Sequence, residues 1–471
     1  MRKKAKLYSL LGVLLVICGA AFAVSRYQEK KENIKNSGEV ILEIPTDSVT
    51  ALSWTNESGI FSFTKEESWI YDDDTAFPVS GEKVNDLLSQ FEAFAAAFTI
   101  EDVDDYAQYG LDEPVCTINI TAGEESYAIK LGGFSKMDEQ RYVSIGDGKV
   151  YLVTHDPLDK FDAVLRDMIL DDTIPDFDTA DKLVFAGNEN YTIVRDEDGK
   201  SICADDVYFT DGNPLDTAVI TEWLTALHEL DLTNYVSYNV TDEELLTFGL
   251  DEPDLTVTLD YSSSDEDGNE TNSGTLVLHL SRNPEELAAY EEAISNEEDE
   301  LPDVTCYARV GASQIVYQIT QSEYDALTDA SYDALRHQKL FTADFDTVPS
   351  IDVSLSGESF TFTYTPPEDK DDKDAEGTWT YNGEEFDIYD LRTALRALSA
   401  SSFTEETPTG QEEISLTVHL DNEDFPTFTM TLYRYDGTSC IAAVDGKTVA
   451  FVPRSQTVDL IEAINELTLG S

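Results

Sequence analysis

The chain is poor in positive charge. Its 471 residues include 30 lysines and arginines against 95 aspartates and glutamates, which gives a formal net charge of −65 at pH 7. A surface of this sign repels phosphate groups, so the composition argues against nucleic-acid binding and against flat docking on anionic lipids. Because 41% of the residues are hydrophobic, the chain can still form hydrophobic cores, and its length suits about three domains.

Residues that catalyse reactions or bind metals are few and scattered. The five cysteines include no C-x-x-C pair, and neither phosphate-binding loop, G-x-x-x-x-G-K-[ST] or G-x-G-x-x-G, is present, so nucleotide use is not indicated. Cys18 lies in an apolar segment. Cys116, Cys203, Cys306 and Cys440 lie in β-like runs, where we expect small buried side chains. We therefore predict a non-enzymatic protein with no catalytic residue, no cofactor and no metal site.

The five histidines show no H-E-x-x-H motif and no pair at metal-ligand spacing. His279 and His419 lie in the strand-like stretches LVLHL and LTVHL, where a histidine is expected to face solvent or a neighbouring strand. The three others are isolated in the sequence: His155, His228 and His337. A histidine-based metal site is therefore not predicted.

The N-terminus predicts a membrane anchor. Residues 1–6 (MRKKAK) are basic, and residues 7–24 are 18 residues without a charge, at the lower end of the length of a membrane-spanning helix. The basic side stays in the cytoplasm, so the rest of the chain, after a polar stalk over residues 25–39, is expected outside. A cleaved signal peptide is the alternative, because Ala21, Phe22 and Ala23 fit its cleavage pattern. The apolar run exceeds the usual core of about 7–15 residues, which favours an uncleaved anchor.

A repeated stretch, GLDEP, occurs at residues 110–114 and 249–253 and continues without gaps into a strand-like run in each case. A degenerate third copy starts at Gly410 with GQEEISLTVHL. All three copies share alternating apolar positions, which is typical of a strand with one buried face. The repeat therefore predicts three related modules.

The residues around the second copy predict the end of a helix. Thr241 and Glu244 form a capping box that begins a short helix, and Gly249 suits the left-handed position just past its end. Leu250 can pack back on the last turn, and Pro253 prevents the helix from resuming. The first copy has the same pattern, with Asp102 as the predicted N-cap.

The carboxylates inside the motif have a second interpretation. Asp112, Glu113, Asp251 and Glu252 could be cation ligands or acid–base pairs. No histidine or glycine-rich loop lies near either pair in the sequence, and adjacent acids arise often by chance in so acidic a chain. The helix stop is therefore the favoured interpretation, and the role of these four residues is left open.

The same order of elements surrounds each copy and predicts an α+β fold: three tandem modules of antiparallel β-hairpins with one or two packed helices each, after the N-terminal transmembrane helix. The modules are predicted at residues 40–175, 176–345 and 346–471. The predicted helices precede each copy or close each module: residues 82–97, 215–230 and 387–399, then 158–169, 322–335 and 455–467. Acidic insertions from Ser262, Ser281 and Pro366 are predicted to be solvated loops.

The anchor, the tandem modules and the pattern (Y/F)-G-L-D-x-P before a strand resemble the bacterial domain-of-unknown-function 4340 family. The resemblance covers most of residues 40–345. The third module departs from it, because Gln411 replaces the leucine and Ile414 the proline of the motif. The resemblance implies an envelope protein with one N-terminal membrane helix. Some members of the family accompany ABC-type transport or gliding-associated systems. The resemblance supplies no catalytic residues.

The sequence thus favours a membrane-anchored extracytoplasmic binding or scaffolding protein, possible partners being the membrane and an envelope transport complex, with no nucleic acid or nucleotide. Two alternatives stay open. One is an envelope hydrolase that uses paired carboxylates, because such pairs are defined by their distance in space. The other is an acidic cation-binding surface protein, since Asp265, Asp267 and Asn269 approach calcium-loop spacing, although Glu270 replaces the turn glycine.

Overall fold

The computed structural model describes residues 38–101, 103–367 and 377–469. The predicted cytoplasmic tip, the predicted transmembrane helix at residues 7–24 and nearly all of the stalk lie outside the described residues. Within those three ranges, no helix has both the length and the apolar composition needed to cross a membrane. The chain divides into two compact units, one ending at Asp172 and one starting at Thr173.

The first unit contains a nine-stranded sheet in which every pair of neighbouring strands is antiparallel. Its strands are β1 (Glu39–Leu42), β2 (Val49–Asn56), β3 (Gly59–Lys65), β4 (Trp69–Tyr71), β5 (Phe94–Ile100), β6 (Cys116–Ala122), β7 (Glu125–Ser135), β8 (Gln140–Ser144) and β9 (Val150–Val153). Helix α1 (Gly81–Ser89) precedes β5, and α2 (Leu158–Phe161) follows β9.

The second sheet is also nine-stranded and antiparallel. Its strands are β10 (Thr179–Gly187), β11 (Asn190–Arg195), β12 (Tyr208–Thr210), β13 (Asn213–Pro214), β14 (Tyr235–Ser237), β15 (Leu255–Ser264), β16 (Glu270–Arg282), β17 (Cys306–Val310) and β18 (Val316–Ile319). The helices that accompany it are α3 (Thr217–His228), α4 (Asp242–Phe248), α5 (Pro284–Ser295), α6 (Gln321–Thr328) and α7 (Tyr332–Leu335).

The third sheet has the same number of strands and the same antiparallel pairing. Its strands are β19 (Ser350–Leu355), β20 (Glu358–Thr365), β21 (Thr378–Tyr381), β22 (Glu384–Phe386), β23 (Ser402–Phe403), β24 (Glu412–His419), β25 (Thr427–Arg434), β26 (Ser439–Val444) and β27 (Lys447–Pro453). Helix α8 (Tyr389–Ala397) precedes β23, and α9 (Arg454–Leu469) closes the module.

Eight strands follow one spatial order in all three sheets. The orders are β4-β3-β2-β6-β7-β8-β9-β5, β12-β11-β10-β15-β16-β17-β18-β14 and β21-β20-β19-β24-β25-β26-β27-β23. Only the ninth strand differs: β1 pairs with β5 at one edge, whereas β13 and β22 lie at the opposite edge of their sheets. The prediction of three related α+β modules with antiparallel sheets is confirmed.

Each sheet buries one face against its helices. Along β15, Leu255, Val257 and Leu259 are buried, while the intervening residues are partly exposed. Helix α3 covers that sheet with Trp223 and its apolar neighbours, and the Trp223 indole donates a hydrogen bond to the backbone oxygen of Leu327 at 3.1 Å. Each fully buried aliphatic side chain of this kind contributes about 1.5–3 kcal/mol.

The helices that precede the motifs are predicted with mixed success. The predictions at 215–230 and 387–399 are confirmed by α3 and α8. The prediction at 82–97 is wrong beyond Ser89, because residues 94–100 form β5. The stretch FAAAF fits either structure locally, and its pairing with β1 and β9, with Phe94 and Ala96 buried, decides for the strand.

Only the last closing helix is continuous. The prediction at 455–467 is confirmed by α9, but the segment 158–169 contains α2 and a separate 3-10 turn at Leu165–Met168. The segment 322–335 is divided between α6 and α7, and each of these helices has its own N-cap residue. Thr320 caps α6, and Ser331 caps α7 by accepting the N–H of Ala334.

Two acidic insertions are ordered rather than looped, which corrects the sequence prediction. The one from Ser262 lengthens β15 and β16 into a hairpin, and the Asp265 carboxylate accepts the N–H groups of Asp267 and Asn269 in its turn. The one from Ser281 contains α5, which Asn283 caps. Most of the insertion from Pro366 lies outside the described residues.

The GLDEP motif ends a helical turn in both copies. Gly110 has φ +68° and Gly249 has φ +70°, the left-handed conformation that glycine adopts without strain. The N–H of Leu250 donates to the oxygen of Leu245 at 2.9 Å, and that of Gly249 donates to Leu246 at 3.3 Å, which together form a Schellman motif. The helix stop in the second copy is confirmed.

The first copy reaches the same geometry with a shorter element. A 3-10 turn at Ala107–Tyr109 replaces the predicted helix, and the predicted N-cap Asp102 lies outside the described residues. The N–H of Leu111 donates to the oxygen of Tyr106 at 3.1 Å, as in the second copy, and Leu111 is buried. The stop is therefore shared by the two modules although the helix is not.

The turn before each motif docks on the second strand of the long hairpin. A Cβ at Gly132 would lie 2.3 Å from the Tyr109 oxygen, so only glycine allows this approach on β7. At the matching position of β16, Ser281 donates a hydrogen bond to the Phe248 oxygen at 2.8 Å. The motif thus fixes a helical turn to the sheet, which is a structural role.

The third copy differs from the sequence alignment. Gly410 has no positive φ and no helix directly before it, and its Cβ would lie 1.7 Å from the Arg434 oxygen. Leu255 pairs with Leu280, which lies two residues before Arg282 at the end of β16. Ile414 pairs with Leu432, which lies two residues before Arg434 at the end of β25. The third copy is therefore shifted by two residues, and the buried pattern survives because two residues is one full strand period.

Gly249 has two structural roles, a left-handed backbone and a close approach to β16, and we expect substitutions to separate them. Gly212 has a similar φ, +77°, with nothing within 4 Å of an added Cβ, whereas a Cβ at Gly249 would lie 2.7 Å from the Arg282 oxygen. Gly212→Ala should lower the free energy of unfolding by about 1 kcal/mol, the cost of the left-handed backbone, and Gly249→Ala by about 3 kcal/mol. Urea denaturation followed by circular dichroism measures both. Equal losses would contradict the docking role.

Candidate functional site

The four carboxylates inside the GLDEP motifs are all on the surface. Asp112, Glu113, Asp251 and Glu252 are exposed, and within the described ranges they make no hydrogen bond or ion pair. Nothing holds them in the fixed geometry that acid–base chemistry needs. The structure therefore offers no support for a catalytic role of these residues.

Two of the histidines contact neighbouring strands, as predicted. His279 Nδ1 lies 2.9 Å from the Thr256 hydroxyl on β15, and His419 Nε2 lies 2.8 Å from Asp352 Oδ2 on β19. Burial and then the charge of Arg309 lower the pKa of His279, so its ring is neutral at pH 7. Neither residue belongs to a group of metal-binding side chains in the described part of the chain.

A third histidine, His337, lies in a cluster that sequence analysis missed. The loop between β11 and β12 supplies Cys203 and Asp206, the residue before α3 supplies Asp216, and the segment after α7 supplies His337. Cys203 and His337 are 134 residues apart in the chain, so no spacing motif could reveal them. We call these four residues the connector cluster.

Both ring nitrogens of His337 face carboxylates. Nε2 lies 2.9 Å from each oxygen of Asp206, and Nδ1 lies 3.3 Å from Asp216 Oδ2. The Asp206 side chain is 1% exposed, and that of His337 is 20% exposed. Both nitrogens can donate only when the ring is protonated, so the arrangement is that of an imidazolium between two carboxylates.

The electrostatics of the cluster agree with that arrangement. Burial acts to lower the pKa of His337, but the hydrogen bonds and charges of Asp206 and Asp216 outweigh it, and the pKa lies above its ordinary value. Ser201 supports the acceptor, since its hydroxyl donates to Asp206 Oδ2 at 2.6 Å. The histidine is therefore held in one orientation by polar partners on both sides.

Cys203 corrects the prediction for its class. Cys116, Cys306 and Cys440 are buried in or beside strands, as expected, whereas Cys203 lies in a bend and is partly exposed. Its Sγ, an Asp206 oxygen and a His337 nitrogen all lie within 4.8 Å of one another. Burial is the main cause that raises the pKa of the Cys203 thiol. Among the described residues, it is the one cysteine in a group of at least three metal-binding side chains.

The connector cluster lies where the second module meets the third. Ile202 packs against the hydrophobic core of the third module, and Lys200 forms an ion pair with Asp424. The segment that follows His337 forms backbone hydrogen bonds with the third module. The N–H of Leu340 donates to the Leu398 oxygen at 3.0 Å, and the N–H of Ala400 donates to the Gln338 oxygen at 2.7 Å. The cluster thus holds the chain at the junction of two modules.

A cleft beside the second sheet is the other candidate. It has a volume of about 290 Å³ and contains Glu189 and Asp254. Asp254 Oδ2 accepts hydrogen bonds from Arg282 Nε at 3.0 Å and from the Tyr324 hydroxyl at 2.7 Å, and Glu189 accepts the N–H of Tyr332 at 2.7 Å. Burial first and then Asp254 raise the pKa of Tyr324, which keeps its hydroxyl protonated as a donor. Both carboxylates therefore serve the fold.

We expect the buried and exposed histidine–aspartate pairs to differ in stability. Asp206→Asn removes the charge that faces His337 and should lower the free energy of unfolding by about 3 kcal/mol, because a buried charge loses its partner. Asp352→Asn is the matched control. Its pair with His419 has side chains 47% and 39% exposed, so the loss should stay below about 1 kcal/mol. Thermal denaturation of both variants decides, and a loss at Asp352 as large as that at Asp206 would contradict the assignment.

A family model described as a domain of unknown function (DUF4340) matches the chain twice, over residues 69–244 and 210–417. The two matches begin at equivalent places, because residue 69 opens β4 and residue 210 closes β12, its counterpart in the second sheet. Each match ends inside the following module. No curated protein matches the chain.

Proposed function

The chain belongs to the family of domains of unknown function DUF4340, and from that premise we propose that it is a membrane-anchored extracytoplasmic protein with a non-enzymatic binding or scaffolding role. The observation that carries this proposal is the threefold repetition of one sheet order. Catalysis needs one site, whereas repeated modules multiply binding surface. The proposed partner is a transport complex of the cell envelope, which the family resemblance implies for some members.

The N-terminal sequence supports the anchored location. Residues 7–24 carry no charge and follow a basic hexapeptide, which directs the rest of the chain outward. The modules themselves are strongly acidic, so they are repelled by anionic headgroups. An anchor followed by a polar stalk would hold them away from the lipid surface, where a protein partner can be reached.

The competing proposal of a hydrolase has weaker support. It needs two carboxylates that are free to approach a substrate. The acids of the GLDEP motifs have no supporting contacts in the described part of the chain, and Glu189 and Asp254 are bound to the chain's own donors. A binding role uses the same surfaces without requiring free reactive groups.

Crosslinking in intact cells tests the proposal. The full chain should fractionate with the membrane. Protease added to cells with a permeabilised envelope should cleave it, because the modules lie outside the cytoplasmic membrane. It should also crosslink to an integral membrane transport component, which mass spectrometry identifies. The double variant Leu14→Arg and Ile17→Arg places two charges in the apolar run. Each arginine raises the free energy of membrane insertion by about 2.5–3.5 kcal/mol, so the variant should no longer be found in the membrane fraction.

The control is a double variant outside the apolar run that also makes the net charge more positive by two, Asp251→Asn with Glu252→Gln, and it should leave fractionation and crosslinks unchanged. Recovery of the wild-type chain in the soluble fraction would contradict the anchor. If no component of a membrane complex is found among the crosslinked proteins, the scaffolding role is contradicted, whereas the membrane anchor is not.

A further inference from the structure

The connector cluster contains the donor set of a transition-metal site. A thiol, a carboxylate and an imidazole from two distant segments converge within 4.8 Å. In a tetrahedral zinc site, bond lengths of about 2.0–2.3 Å place the ligand atoms roughly 3.3–3.8 Å apart. Shifts of about 1 Å would therefore bring the three atoms of Cys203, Asp206 and His337 to ligand distance, and the Cys203 side chain lies in a bend outside the strands.

Outer contacts orient the donors as they do in metal sites. A metal-binding histidine usually donates its other N–H to a carboxylate, a backbone carbonyl or water, which fixes the ring. His337 Nδ1 faces Asp216 at 3.3 Å, and Asp216 is itself held because its Oδ1 accepts the N–H groups of Ala218 and Val219 at the start of α3. Nε2 is then directed at Asp206, where the metal would lie. This contact pattern is independent of the proximity of the three donors.

The ligand types select the metal. Calcium and magnesium prefer oxygen ligands, whereas thiolate with imidazole favours zinc and related late divalent ions. The chain has 95 acidic residues that offer oxygen alone, and no other group of at least three metal-binding side chains that includes a cysteine or histidine lies in the described ranges. A thiolate-selective metal would therefore choose this place over the rest of the surface.

We propose that Cys203, Asp206 and His337 bind a zinc-type divalent ion at the junction of the second and third modules, with Asp216 as the positioning residue. The fourth position faces solvent, which the 20% exposure of His337 allows. The metal replaces the Nε2 proton between His337 and Asp206 and the thiol proton of Cys203, and both protons are released to solvent. It joins the β11–β12 loop to the segment entering the third module, so binding stabilises the folded chain.

Cobalt absorption tests the thiolate ligand directly. The full chain, purified in detergent with chelator and then freed of it, is titrated with Co²⁺. One equivalent should produce near-ultraviolet thiolate-to-cobalt absorption, which Zn²⁺ displaces and Ca²⁺ does not. Cys203→Ser and His337→Gln should each remove it. His419→Gln is the matched control, because His419 also pairs with an aspartate but has no cysteine beside it, and it should leave the absorption unchanged.

A measurement on the unmodified chain guards against variants that fail to fold. Alkylation of Cys203, mapped by peptide mass spectrometry, should slow by about tenfold or more with one equivalent of Zn²⁺, as expected of a metal-bound thiolate, and be unaffected by Ca²⁺ at the same concentration. Absence of cobalt–thiolate absorption together with unprotected Cys203 would overturn the proposal. Absorption that persists in Cys203→Ser would also overturn it, because the thiolate would then belong to another cysteine.

Discussion

The sheet of each module is built around one long-range pairing. It joins the first, in chain order, of the eight strands that the three sheets share to the strand that follows the GLDEP motif or its counterpart. These pairs are β2 with β6, β10 with β15 and β19 with β24. Trp54 lies opposite Ile118, Leu183 opposite Leu259 and Ile351 opposite Val418, and all six are buried. The closure of so long a loop costs entropy, which burial of these side chains offsets. Most of the remaining strands then add outward by local hairpins, whereas β5, β14 and β23 pair over a long range with β9, β18 and β27.

This central pairing also explains the position of the duplicated motif. The strand after GLDEP must enter the middle of the sheet, so the preceding helical turn has to end sharply and stay fixed. Gly249 ends the turn, Leu250 is buried, and Ser281 holds the last carbonyl to the neighbouring strand. Identity between the two copies therefore reflects the same entry into the same sheet position. The exposed acids Asp251 and Glu252 take no part in it.

Local patterns made much of this fold predictable. Strand alternation revealed the three modules, and the capping box at Thr241 with Glu244 is present as expected. Two predictions failed where a long-range contact decides. The run at 94–97 becomes a strand only through its partners at the sheet edge, and the third copy keeps the strand period while it shifts by two residues. The connector cluster was unpredictable because tertiary packing alone brings His337 to Cys203.

The claim that the central pairs hold the modules together is tested most directly by native-state hydrogen exchange of the full chain. Amides of β2 and β6, of β10 and β15, and of β19 and β24 should exchange more slowly than any others in their modules, since they open only when the whole module unfolds. Edge strands and helices should exchange faster. If the slowest amides of a module lie in its helices or edge strands, and the central pair opens first, the account is wrong.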